Sequence, residues 1–194
     1  MIHTIGHSNH PAERFLALLQ GYGVDLVADV RSMPYSRFNP QYNRARLEQS
    51  LAAAGVGYLF MGQEFGARSP DPACYDRQGR VSYRKLAATA AFHTGLERLQ
   101  ALSRERHIAL MCAERDPLDC HRTILVARAL EGRGVAIRHI LADGSCEEHA
   151  DCMQRLIAQL HLEGADLFSS TAQRREQAYN LQAARIAYVK KKPA

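Results

Sequence analysis

Cys112, Glu114, Cys120, His121 and Arg122 fall in one run of eleven residues, Cys112-Ala113-Glu114-Arg115-Asp116-Pro117-Leu118-Asp119-Cys120-His121-Arg122. Two thiols, a carboxylate, an imidazole and a guanidinium at this density suit three chemistries: nucleophilic attack, general acid–base catalysis and metal ligation. Of the two thiols Cys120 is better placed to react. His121 and Arg122 follow it, a helix is expected to begin beside it, and all three lower a thiol pKa. As a thiolate it would be the nucleophile, with His121 or His7 as proton shuttle and Glu114 as an acid–base carboxylate. Neither Cys112 nor Cys120 opens a phosphatase-like C-x5-R run. Cys112 ends an apolar run and reads equally as a buried core thiol. A metal would take Cys112, Cys120, His121 and His7, a zinc-type set outside the common zinc spacings. No metal or other cofactor is therefore expected, and neither G-x-G-x-x-G nor G-x-x-x-x-G-K-[ST] occurs.

The elements that must position these groups alternate between short apolar runs and helical patterns. Strands are expected at Ile2–Gly6, Asp25–Val30, Val56–Phe60, Ile108–Cys112 and Val135–Ile140. Helices are expected at Pro11–Tyr22, at Asn43–Ala54 with Asn43 as cap and Gly55 as stop, and from Ser82 to about Arg106. Two more run over Cys120–Arg133, capped by Asp119, and from Ser145 to His161. A Gly/Pro-rich loop of about twenty residues before Ser82 has the length of a lid or binding segment. Repeated β–α units of this length predict a three-layer, Rossmann-like α/β fold on a mostly parallel sheet of about five strands. Residues 1–163 form the α/β domain, and residues 164–194 a helical extension with a basic tail.

In a parallel sheet the loops after each strand share one edge, where ligands bind. The first loop brings Gly6-His7-Ser8-Asn9 and the second Asp29, Arg31-Ser32-Met33-Pro34-Tyr35-Ser36-Arg37; the fourth is the Cys112–Arg122 junction. Val30–Leu47 holds four arginines and no acidic residue. Arg122, expected in the first turn of its helix, joins backbone N–H groups that favour anions. Arg31, Arg37 and Arg122, with Ser8, Asn9 and Ser32, therefore read as an oxyanion pocket, most simply for phosphate. In the competing reading Arg31 and Arg37 pair with Asp29 or Glu64 to brace the loop.

The net charge is +5, yet residues 164–194 hold six Lys/Arg against two acidic residues, so the excess sits in the tail. Such a tail attracts polyanions without fixing their geometry. The functions left standing are an enzyme for a phosphate-bearing substrate, a nucleic-acid-binding module stacking bases on Tyr35, Phe38 and Tyr42, and a structural-metal or redox-sensing thiol protein. Five irregularly spaced cysteines argue against a disulfide framework, and no apolar run approaches a membrane span. A reducing cytoplasm is expected, with no membrane partner; the oligomeric state has no signature.

Three motifs stand in order: Thr4-Ile5-Gly6-His7-Ser8-Asn9; Asp29-Val30-Arg31-Ser32-Met33-Pro34 with Ser36-Arg37; and Cys112-Ala113-Glu114…Pro117…Cys120-His121-Arg122. Together they resemble the prokaryotic family known as domain of unknown function 488, across roughly residues 2–140. Leu167-Phe168 and Ala178-Tyr179…Gln182…Ile186-Ala187-Tyr188 are similar to extensions on some members. The resemblance implies a three-layer α/β fold in a cytoplasmic protein and no particular reaction. It places His7, Arg31, Arg37, Cys112, Glu114, Cys120, His121 and Arg122 at motif positions.

Overall fold

Five short apolar segments form parallel strands, and the computed structural model describes residues 1–163 and 170–190. The strands are β1 (Ile2–Gly6), β2 (Leu26–Asp29), β3 (Gly57–Phe60), β4 (Ile108–Cys112) and β5 (Ile137–Ile140). A sixth, β6 (Cys146–Glu148), pairs antiparallel with β5, giving the order β3-β2-β4-β1-β5-β6. Period-two alternation decides which groups face which layer. Ile108, Leu110 and Cys112 point to one core, whereas Ala109 and Met111 point to the other. Helices α1 (Ala12–Gly21) and α2 (Arg44–Ala53) cover the second face. The first is covered by α3 (Gly62–Phe65), α4 (Tyr83–Ala87), α5 (Ala90–Leu102), α6 (Arg128–Glu131), α7 (His149–Gln159) and α8 (Thr171–Ile186). The expected three-layer α/β architecture with a C-terminal helix is what the chain adopts. Among the described residues no helix is long and apolar enough to cross a membrane.

Several local expectations are corrected. The long helix from Ser82 is two: Thr89 is extended (ψ 147) and its hydroxyl accepts from Phe92 N–H, so it caps α5 and ends α4. Asp119 is not a helix cap. Asp116 caps the short 3-10 turn Pro117–Asp119 by accepting from Leu118 N–H. The chain then winds as a π-helix over Arg122–Ala127 before tightening into α6. Asn43 precedes α2 but gives its side-chain oxygen to Ser36 N–H, bracing the arginine loop instead. Ser145 belongs to the β5–β6 hairpin turn, where Asp143 accepts from its N–H and hydroxyl. The supposed long loop contains α3, a 3-10 turn (Pro72–Cys74) and a bridge between Tyr75 and Val81. Leu167-Phe168 and Lys191-Lys192 lie outside the described residues.

Candidate functional site at the carboxyl edge of the sheet

The order places β2, β4 and β1 side by side, so the three motif-bearing loops converge on one cavity of about 440 Å³. That volume suits a small-molecule ligand. The first loop contributes His7 and Ser8, the second Arg31, Ser32, Met33, Tyr35, Ser36 and Asn39, and the fourth Cys112, Ala113, Glu114, Asp119 and His121. Ala67, Arg68 and Tyr83 come from the segment after β3, and Ile186 and Tyr188 from the C-terminal end.

β1 and β4 stay laced beyond their ends, with His7 N–H donating to Cys112 C=O and Ser8 N–H to Ala113 C=O. Ser8 sits in the left-handed region (φ 48), a conformation that concentrates at functional sites in non-glycine residues. His7 Nδ1 lies 2.8 Å from the Ser8 carbonyl, and Nε2 lies 3.3 Å from Arg31 Nη1. Burial and then the Arg31 charge push its pKa down to about 4. This neutral ring, stacked on Tyr42 at 4.1 Å between centroids, braces Arg31.

The expected oxyanion triad does not assemble. Arg31 forks onto Asp29, with Nη2 2.6 Å from Oδ2 and Nε 2.8 Å from Oδ1, and donates again to Tyr42 C=O. The bracing alternative therefore holds for Arg31. Arg122 is wholly buried and folds back onto the Glu114 and Arg115 carbonyls and Thr4 Oγ1. Arg37 and Asn9 are exposed and do not line the cavity. Tyr42 is buried, so it offers no stacking face, whereas Tyr35 and Phe38 are 66% and 87% exposed.

The thiol, imidazole and carboxylate groups do meet. Ligand atoms of Cys112, Glu114, Cys120 and His121 all lie within 4.8 Å of one another. Cys120 Sγ is 2.9 Å from Glu114 Oε2 and receives Arg122 N–H at 3.4 Å. His121 Nδ1 faces both sulfurs, at 3.7 Å from Cys112 and 4.0 Å from Cys120, while Nε2 is 3.0 Å from Val30 C=O. Burial alone would raise the Cys120 pKa, but the Cys112 hydrogen bond, the Arg122 charge and His121 outweigh it and hold it well below the ordinary thiol value. Burial and the neighbouring Cys120 push Cys112 the other way. Cys112 forms part of the cavity wall and Cys120 does not, which removes the direct line a Cys120 nucleophile needs. His7 is likewise bound to Ser8 and Arg31, and Glu114 takes the fourth place in the cluster.

Residues 11–129 match the family model "Domain of unknown function DUF488". The chain belongs to the DUF488 family. The matched span of this DUF488 member includes β2 to the π-helix and stops before β5, α7 and α8. A search of curated proteins returns no match. A solved structure with some likeness is a "Putative phosphatase (DUF442)" from Shewanella putrefaciens CN-32. It is 12% identical, with 93% of this chain and 87% of that chain covered and a TM-score of 0.38.

Within the DUF488 span, sequence reasoning passed over Arg68, whose guanidinium stacks on Tyr188 at 4.8 Å and whose N–H donates to Ser32 Oγ. Among the described residues it has no carboxylate partner. The only available signal was an arginine inside the Gly/Pro-rich segment. Sequence reasoning also passed over a C-x5-R run at Cys74–Arg80. That run builds no phosphate cradle, because the Gln78 and Arg80 N–H groups close onto the Asp76 carboxylate.

Gly6 ends β1 where only a hydrogen fits, since a Cβ there would overlap the Glu114 carbonyl oxygen. Gly6→Ala should push the Glu114 loop outward and cost about 1–3 kcal/mol, as overpacking does. Urea unfolding reads the stability.

Proposed function

We propose that this DUF488 member is an enzyme acting on a phosphate-bearing substrate, a nucleotide or nucleic-acid end, held in the carboxyl-edge cavity. The observation that carries this reading is the pairing, in one cavity, of an unpaired arginine with a thiol–imidazole–carboxylate cluster. Arg68 takes the anion-binding role that the sequence assigns to Arg31, Arg37 and Arg122, aided by the Ser8, Ser32 and Ser36 hydroxyls. Its stacking on Tyr188 holds the guanidinium plane in place, which suits bidentate phosphate recognition. The cluster of Glu114, Cys112, Cys120 and His121 is the reacting end. Exposed Tyr35 and Phe38, beside Arg37, favour a nucleic-acid end over a free nucleotide, since bases stack on such rings.

Calorimetric titration with nucleoside phosphates and short 5′- or 3′-phosphorylated oligonucleotides tests the reading. Arg68→Ala should weaken binding at least tenfold, in line with the roughly 1.5–3 kcal/mol of a charged hydrogen bond. Arg68→Lys should recover only part of it. Phe38→Ala, outside the cavity wall, should weaken oligonucleotides and leave mononucleotides unchanged. Unaltered affinity in Arg68→Ala, or no binding of any phosphate compound, sinks the proposal.

A further inference from the structure

Cys112, Cys120, His121 and Glu114 come from three turns of chain: the end of β4, the loop after it and the start of the π-helix. In tetrahedral zinc sites, with Zn–S of about 2.3 Å and Zn–N of about 2.0–2.1 Å, neighbouring donors lie roughly 3.4–3.8 Å apart. The Cys112 Sγ to His121 Nδ1 distance of 3.7 Å is already in that range, and the 4.0 Å from Cys120 is just outside it. A second observation is independent of these spacings. His121 Nε2 lies 3.0 Å from the Val30 carbonyl, which can only accept, so Nε2 carries the proton. Nδ1 is then the ring nitrogen that faces the two sulfurs, at 3.7 and 4.0 Å. Metal-bound imidazoles are oriented this way, with the far N–H given to a carbonyl or carboxylate. The Arg122 backbone N–H reaching Cys120 Sγ supports a ligating thiolate in the same manner.

We infer that Cys112, Cys120 and His121 bind one zinc-class divalent cation, with the Glu114 carboxylate, the exposed member of the cluster, as the fourth ligand. Soft thiolates with imidazole select zinc over magnesium or calcium. Loading releases to solvent the protons that the cluster holds, and the 2.9 Å Cys120–Glu114 hydrogen bond opens to donor–donor spacing as the cation enters between them. Glu114 is more exposed than the other three, so it is the ligand a substrate or water displaces. Zinc sites with three protein ligands and an open fourth position are catalytic. The catalytic consequence rests on the enzyme reading above, whereas cation binding does not. His7, the sequence-level candidate for fourth ligand, is bound to Ser8 and Arg31 instead.

The test uses the full chain, reduced, stripped with chelator and titrated with cobalt(II) and then zinc(II), with no nucleotide present. One equivalent of cobalt should produce thiolate-to-cobalt charge-transfer absorption and the intense visible bands of a four-coordinate ion. Zinc should abolish both. Cys112→Ser and Cys120→Ser should each lose charge-transfer intensity. Glu114→Gln should keep it while weakening zinc affinity at least tenfold in competition with a chromophoric chelator. Wild-type protein giving no charge-transfer band overturns the inference, whether or not the serine variants fold. So does a cobalt spectrum that is the same in Cys112→Ser and Cys120→Ser as in the wild type. Arg68→Ala should lose nucleotide binding with its cobalt spectrum unchanged, so failure of the pocket reading and failure of the metal site are separately visible.

Discussion

Replacing Asp29 by Ala should destabilise the protein by about 3–5 kcal/mol, because it strands a buried guanidinium. Asp29 is wholly buried and takes four hydrogen bonds: Arg31 N–H and Nε on Oδ1, and Arg31 Nη2 and Tyr58 OH on Oδ2. The pair is worth far less as a net contribution than as a broken half, since both ions are stripped of water on folding. The double variant Asp29→Leu, Arg31→Met should therefore be more stable than Asp29→Ala alone. Urea unfolding of the single and double variants checks this order. A double variant less stable than Asp29→Ala would mean that the pair contributes strongly in its own right.

Acid should unfold the protein through a second buried network on the far side of β1. Thr4 Oγ1, His139, His149 and Tyr179 OH form a chain with spacings of 2.8, 2.9 and 2.8 Å. One proton fills the gap between the rings, so the two rings cannot both be fully protonated without setting two N–H donors against each other. Burial, and then the His149 and Arg122 charges, holds His139 well below its ordinary value. Burial also lowers His149 to about 4, against the partial opposition of Glu131 and Glu147 and with Arg175 adding to the lowering. Both rings are neutral in the folded state and take up protons on unfolding. Their contribution is thus complete above pH 6.5 and is lost as pH falls towards 4. A shift from 6.5 to about 4 at His149 corresponds to roughly 3 kcal/mol, about 2 of it gone by pH 5. His149→Gln should flatten the slope of stability against pH by up to about 1.4 kcal/mol per unit. An unchanged slope between pH 7 and 5 would count against this chain as the acid-sensitive element.

What the sequence made legible follows from the range of the forces involved. Ile108–Cys112 announces itself because a strand buried on both faces is apolar throughout, and Ile2–Gly6 shows through the Ile2 and Ile5 that flank its buried His3 and Thr4. The cluster of Cys112, Glu114, Cys120 and His121 was visible because its members are neighbours in the chain. β6 was not, since Cys146-Glu147-Glu148 is a polar edge strand whose pairing comes from β5. The role of Arg122 was hidden, and that of Arg31 was open between two readings, for a different reason. Each is spent on partners, Asp29 in one case and the Glu114–Arg115 carbonyls in the other, and only the folded geometry shows the expenditure. Arg68 depended on contacts with Ser32 and Tyr188, distant in the chain.

The last helix carries a consequence for how this protein can change. Gln182 on α8 donates to Leu118 C=O in the turn that precedes Cys120, and Ile186 and Tyr188 complete the cavity wall. All three lie beyond the span matched by the family model, which ends at residue 129. The thiol–imidazole–carboxylate cluster and part of the wall above it are thus written in separate stretches of gene. An exchanged C-terminal segment would reshape that wall while the cluster beneath it keeps its own sequence.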